Sequence, residues 1–225
     1  MTVRRAIVGG LFVALCVGAV VVARRTSPAQ LGVTPLAAAP AAKAMPAGQA
    51  APTAQATAAA QAASALPVLS RTPAPSLEPA SGWLNSDPLP PAALAGKVVL
   101  YDFWTFECIN CQHTFSHVEA WHERYAKDGL VVVGVHTPEF DEEAVAVNVE
   151  KAVRSDGLTY PVALDPNRTI WSSFANHYWP AFYLYDRAGL YRYQHFGEGS
   201  YTETEDAIRA LLGVDPASPR ATVKG

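Results

Sequence analysis

The eight residues KVVLYDFW (97–104) hold Asp102 as their only acid, and four residues after them Cys108-Ile109-Asn110-Cys111 opens a stretch of helical periodicity. A short apolar run rich in β-branched and aromatic side chains reads as a strand buried on both faces. A buried strand passing at once into a helix is the repeating step of an α/β sheet, so this junction restricts the fold more than any other feature. The helix runs from Cys108 to Asp128 and stops at Gly129. LVVVGVHT (130–137) is a second buried strand, closed by Pro138. Residues 141–157 are predicted as one helix, with acids first, Lys151 and Arg154 late, and Gly157 as the stop. PVALD (161–165) reads as a short strand and NRTIWSSFANHY (167–178) as a short helix. AFYLYD (181–186) and LYRYQHF (190–196) form a hairpin over a tight turn, and TETEDAIRALLG (202–213) is a closing amphipathic helix. The order βαβα, then ββα, is an α/β pattern with one terminal hairpin.

This pattern occupies only part of the 225 residues. The chain is 50% hydrophobic yet only 16% charged, which is low for an ordinary soluble domain, where about a quarter is charged. The discrepancy comes from the N-terminal third. Between Arg4-Arg5 and Arg24-Arg25 lie 18 uncharged residues, Ala6 to Ala23. At about 1.5 Å per residue they match the thickness of a bilayer core. Residues 1–25 are read as a transmembrane anchor with the N-terminus inside; a cleaved signal peptide ending near Val21-Val22-Ala23 is the competing reading. Residues 26–80 contain 20 Ala and 9 Pro and only three charges, Lys43, Arg71 and Glu78. They are predicted to be a disordered linker, with 54–65 transiently helical. Residues 81–225 are predicted to be the folded domain and carry all five Trp, all six His and two of the three Cys. This domain has 11 Lys and Arg against 19 Asp and Glu, a net charge of −8 that argues against nucleic acid as a partner.

With three cysteines, one of them (Cys16) inside the apolar segment, the chain has neither a disulfide-dense scaffold nor a four-cysteine zinc site. The pair at 108 and 111 is different, because a C-x-x-C at the start of a helix that follows a strand has a physical use. The unpaired N–H groups and the dipole of the helix start stabilise a thiolate, and the spacing lets both sulfurs meet across one turn. Cys108 is therefore expected to attack and Cys111 to resolve. At about 100° per residue Cys111 shares a stripe with Phe115, Val118, His122 and Tyr125, whereas Cys108 reaches solvent. His113 and His117 fall on the opposite face as solvated polar residues, and His122 is read as a core histidine paired with a backbone group. Two thiolates with a histidine can also hold zinc or copper, so a metal-binding or copper-delivery module stands as an alternative. A peroxidatic cysteine is a third reading, from Thr105 in a T-x-x-C arrangement, with Tyr101 against it.

The segments GWLNSDPL (82–89), GKVVLYDFWTFECINC (96–111), GLVVVGVHTPEF (129–140) and NHYWPAFYLYD (176–186) together resemble the thioredoxin superfamily, and within it the TlpA/DipZ-like thiol–disulfide oxidoreductases. The resemblance implies a thioredoxin-like fold, a central mixed sheet flanked by helices. It implies Cys108 as nucleophile and Cys111 as resolving partner in a redox disulfide, with no cofactor and no metal. By the same resemblance Asp102 matches a buried acid that helps proton transfer from the second thiol. Pro180 matches a cis-proline that aligns the substrate backbone, Trp179 helps to shape the substrate surface, and Glu139 lies near the site. Ile109 and Asn110 replace the Gly-Pro of thioredoxin, which alters the balance between thiolate and disulfide, so the direction of electron flow is not carried over. The implied partners are proteins with dithiols or disulfides. The implied location is the outer, periplasmic side of a bacterial cytoplasmic membrane, on a single-pass anchor. One apolar segment is too little for an electron conduit, so a reductive role requires a separate membrane electron donor.

Overall fold

The computed structural model describes residues 54–224. The apolar segment 6–23, and with it the anchor, lies outside them. Among the described residues no helix is long and apolar enough to cross a membrane. The elements are α1 (Ala54–Ala65), β1 (Gly82–Leu84), α2 (Pro91–Leu94), β2 (Val98–Trp104), α3 (Ile109–Tyr125), β3 (Leu130–His136), α4 (Ala146–Ser155), β4 (Val162–Leu164), α5 (Thr169–Ser173), β5 (Ala181–Tyr185), β6 (Tyr191–Phe196) and α6 (Tyr201–Leu212).

The six strands form one sheet in the order β1-β4-β3-β2-β5-β6. β2, β3 and β4 run parallel, while β5, β6 and β1 are antiparallel to their neighbours. This is the mixed α/β sheet of a thioredoxin-like fold. Every residue of β2 is buried. Because side chains alternate along a strand, Val98, Leu100 and Trp104 enter one core with α3, α4 and α6, while Val99, Tyr101 and Phe103 enter the other. The second core is aromatic: Phe103 meets Trp171, Phe174 and Tyr183 at steep interplanar angles, the favoured arrangement for paired rings. Asp102 has the parity of Leu100 and Trp104, so its carboxyl is delivered to the α3 side.

Three expectations are corrected. The helix over 141–157 is two pieces, a 3-10 turn at Asp141–Ala144 and α4, separated by an extended Val145. The break follows from Glu143, a fully buried carboxylate that turns inward to accept backbone N–H groups. The helix over 167–178 shrinks to the five residues of α5, after which Ala175 takes a positive φ of 50°. The ordered chain also begins upstream of residue 81. The Leu69 N–H donates to the Tyr191 carbonyl (2.8 Å), the Tyr191 N–H donates to the Ser70 carbonyl (3.0 Å), and Leu77 is buried in the second core. Arg192 donates to the carbonyls of Ala63, Leu66 and Pro67 and pairs with Asp186. A segment with too little apolar surface for its own core is held here by the edge strand of another.

Gly134 on β3 faces Asp102 in the parallel ladder. A Cβ there would lie 2.7 Å from Trp104 Nε1 and 2.9 Å from Tyr160 Cε2. These are rigid, buried rings, so the glycine is required for the close approach and not for its backbone angles. Gly134→Ala is expected to destabilise the fold by about 1–3 kcal/mol, the cost of overpacking a filled core, read as a lower urea midpoint with an unchanged slope.

Candidate active site

The two cysteines sit in unequal surroundings. Cys108 is the N-cap of α3, with extended backbone angles, and is half-buried; Cys111 is one turn in and fully buried. Both are reduced. The Cys108 sulfur accepts the Cys111 N–H at 3.3 Å, and its carbonyl accepts the N–H groups of Cys111 and Gln112. A hydrogen bond from the Cys111 thiol is the largest influence on Cys108. With the Cys111 and Asn110 N–H groups it outweighs partial burial and the nearby Glu139 carboxylate, lowering the thiol to about 7. Burial pushes the Cys111 thiol far up, and donation to the Cys108 sulfur adds to this. The helix start thus makes one sulfur a ready thiolate and keeps the other protonated.

Asp102 is fully buried within electrostatic reach of both cysteines. Burial raises its pKa to about 8, against the hydrogen bond from Tyr160, whose hydroxyl donates to Oδ2 at 3.5 Å. Oδ1 has no hydrogen-bond partner among the described residues.

The Trp179–Pro180 peptide is cis. Pro180 is buried and its carbonyl accepts the Gly197 N–H, tying the turn to β6. Trp179 is half-buried against Trp171 (ring centroids 4.1 Å apart), and its Nε1 donates to the Thr137 carbonyl at 3.1 Å. The Arg168 guanidinium lies 5.1 Å from the Trp179 ring and donates to the Pro138 carbonyl. Asp165 positions this group: its carboxylate accepts the N–H groups of Ile170 and Trp171 at the start of α5 and the Thr137 hydroxyl. Glu139, two residues after Thr137, is exposed and close enough to influence Cys108. Cys108, Cys111 and Asp102 therefore share one electrostatic site, and Glu139 and Trp179 belong to the loops beside it.

Sequence reasoning missed Glu143. Its carboxylate accepts the N–H groups of Glu107 (3.1 Å), Glu139 (2.6 Å) and Phe140 (2.8 Å), so it ties the residue before Cys108 to the loop after β3. Burial pushes its pKa up, but donation from the Thr105 hydroxyl and these N–H groups wins, and the net shift is downward. The Thr105 hydroxyl also lies 3.4 Å from His136 Nε2. His136 is buried, which lowers its pKa to about 4 and keeps it neutral.

Two of the other histidines, His117 and His122, depart from expectation. His113 pairs with Glu198 on the surface, but His117 stacks on Tyr201 at 3.6 Å between centroids and is half-buried. His122 packs edge-on to Tyr160, and its Nδ1 is buried with no partner among the described residues, in place of the expected backbone bond. Among the described residues no group of three or more His, Cys, Asp or Glu could hold a metal ion.

The AhpC/TSA family matches residues 73–194. The chain is 46% identical over 150 residues to Protein DipZ of Mycobacterium tuberculosis, covering 63% of this chain and 22% of that one. It therefore spans about a fifth of that relative's length. It is 26% identical over 130 residues to the thiol-disulfide oxidoreductase YkuV of Bacillus subtilis, covering 58% of this chain and 87% of that one. The solution structure of a thioredoxin-like protein in the oxidised form superposes with a TM-score of 0.58 at 27% identity, over 63% of this chain and 95% of that one.

Two outcomes are expected from this geometry. Iodoacetamide should alkylate Cys108 in native protein with a rate that rises with pH about a midpoint near 7, while Cys111 reacts only after unfolding, as read by mass spectrometry of the modified peptides. Glu143→Ala should cost about 2–4 kcal/mol in urea unfolding, because the buried Thr105 hydroxyl and three part-buried N–H groups lose their acceptor at once. The cysteine pair at the strand-to-helix junction and the family match agree: the chain belongs to the AhpC/TSA family, and its thioredoxin-like domain is similar to those of DipZ and YkuV.

Proposed function

We propose that Cys108 and Cys111 are the redox pair through which this protein exchanges disulfides with protein substrates. The observation that carries this reading is the inequality of the two sulfurs: a half-exposed helix N-cap beside a fully buried thiol one turn on. The Cys108 thiolate attacks a substrate disulfide, forming a mixed disulfide and releasing one substrate thiolate. Cys111 then loses its proton to Asp102 and attacks the Cys108 sulfur. The Cys108–Cys111 bond forms, the second substrate thiolate leaves, and two electrons have passed to the substrate. Run in reverse, the same steps oxidise a dithiol.

Several features support a protein as the substrate. Ile109, Phe140 and Tyr178 are large apolar side chains, each more than half exposed, next to Cys108, Glu139 and Trp179 respectively. They suit an apolar stretch of polypeptide lying across the site. Pro180 and Trp179 present the backbone and ring against which such a stretch aligns, and Glu139 adds a carboxylate at its edge. The apolar residues 6–23 support an extracytoplasmic location on the bacterial cytoplasmic membrane, with the following Ala/Pro-rich residues as tether. In the reductive direction a separate membrane protein supplies the electrons.

Cys111→Ala should accumulate mixed disulfides with partner proteins, visible as higher bands that collapse on reduction, whereas Cys108→Ala should accumulate none. Equal trapping by both variants would refute the assigned roles.

A further inference from the structure

We infer that Tyr160 is a positioning residue for the redox step: by donating to Oδ2 of Asp102 it holds the carboxylate so that Oδ1 takes the proton of Cys111. This rests on the proposed Cys108–Cys111 chemistry and names the group that readies its base.

The geometry carries the inference. Asp102 lies on a strand buried on both faces, with no exposure. The neighbouring strands face it with Gly134 and Phe182, which are neither charged nor titratable. From the loop before β4 comes Tyr160, also fully buried. From α3 come Cys111 and, at the helix start, Cys108; Glu119 and His122 of α3 lie near Tyr160. Among the described residues only the Tyr160 hydroxyl hydrogen-bonds to Asp102, and no cation stands beside it. An anionic carboxylate in such a place is held by that one donor. The bond occupies Oδ2 and leaves Oδ1 buried and unpartnered on the core face shared with Cys111. Burial also keeps the Tyr160 hydroxyl protonated, so it remains a donor throughout. Gly134 makes the arrangement possible, since a side chain there would strike the Tyr160 ring.

The sign of the effect follows. The Tyr160 O–H stabilises ionised Asp102, opposing the burial that raises its pKa to about 8. Without the hydroxyl the carboxylate is harder to ionise, and less of it is ready to accept the Cys111 proton at neutral pH.

The test uses the reduced full-length chain with Cys16→Ala, so that Cys108 and Cys111 are its only thiols, and 5,5′-dithiobis(2-nitrobenzoate) in stopped flow. Cys108 attack breaks the reagent's S–S bond and releases one thionitrobenzoate. Proton transfer from Cys111 to Asp102 and attack on Cys108 then release the second, close the protein disulfide and return the proton to solvent. In Tyr160→Phe the pH midpoint of the second phase should rise by about one unit, and at pH 7 that phase should slow roughly tenfold. A second-phase profile that superposes on the wild type overturns the inference. Site-specific 3-fluorotyrosine at 160 keeps the packing and makes a stronger donor. It should move the midpoint down, and an unmoved midpoint likewise overturns the inference, so the test survives if Tyr160→Phe does not fold. Asp102→Asn separates the levels. Loss of the second-phase titration with two equivalents still released upholds the base assignment, whereas a wild-type profile overturns both the base and its positioning residue. Failure of the cysteine-pair reading itself has a different signature, the release of both equivalents by Cys111→Ala.

Discussion

A strand buried on both faces hands its side chains alternately to two cores, and β2 does so along all seven of its residues. One parity builds the aromatic core under α5. The other delivers Leu100, Asp102 and Trp104 to the face covered by α3. The chain leaves this strand at Thr105 and enters α3 at Cys108, so the acid and the cysteine pair reach the same layer by construction. A register slip of one residue would send Asp102 to the opposite face and leave Cys111 without it.

The electrostatics of the site are those of unequal burial. The half-exposed sulfur at the helix start gathers N–H groups, which favour its anion, while the sulfur one turn later lies in the core, which favours its thiol. Burial also raises the Asp102 acid. These shifts need no bound ion. They come from where one strand and one helix meet, with Tyr160, Glu143 and Asp165 holding the loops around that meeting point.

Much of this was legible from local pattern. The β2 run and the α3 periodicity appear where the sequence places them, although α3 ends at Tyr125 and a 3-10 turn, Ala126–Asp128, carries the chain to its stop at Gly129 (φ 102°); each follows from residues within a few positions. The helix expected over 141–157 failed at Val145 because a carboxylate inside it, Glu143, serves donors on two other loops. Local propensity contains no signal for that. The ordered chain upstream of 81 was missed because composition averages over 55 residues and hides a few anchors, Leu77 above all. A glycine opposite a buried acid in adjacent strands was the one available clue to Tyr160.

By itself the sequence determined that a buried strand runs into a helix opened by two cysteines, that the first caps the helix and the second lies on its apolar stripe, and that an acid sits mid-strand. These depend on short-range periodicity, which the backbone enforces. Only the tertiary structure decided what surrounds them. The Tyr160–Asp102 contact joins residues 58 apart, the Trp179–Thr137 bond 42 apart, and the Glu143–Glu107 bond 36 apart. Such pairings exist only once sheet register and loop closure have brought distant segments together, and a buried polar group takes whichever partner that closure supplies.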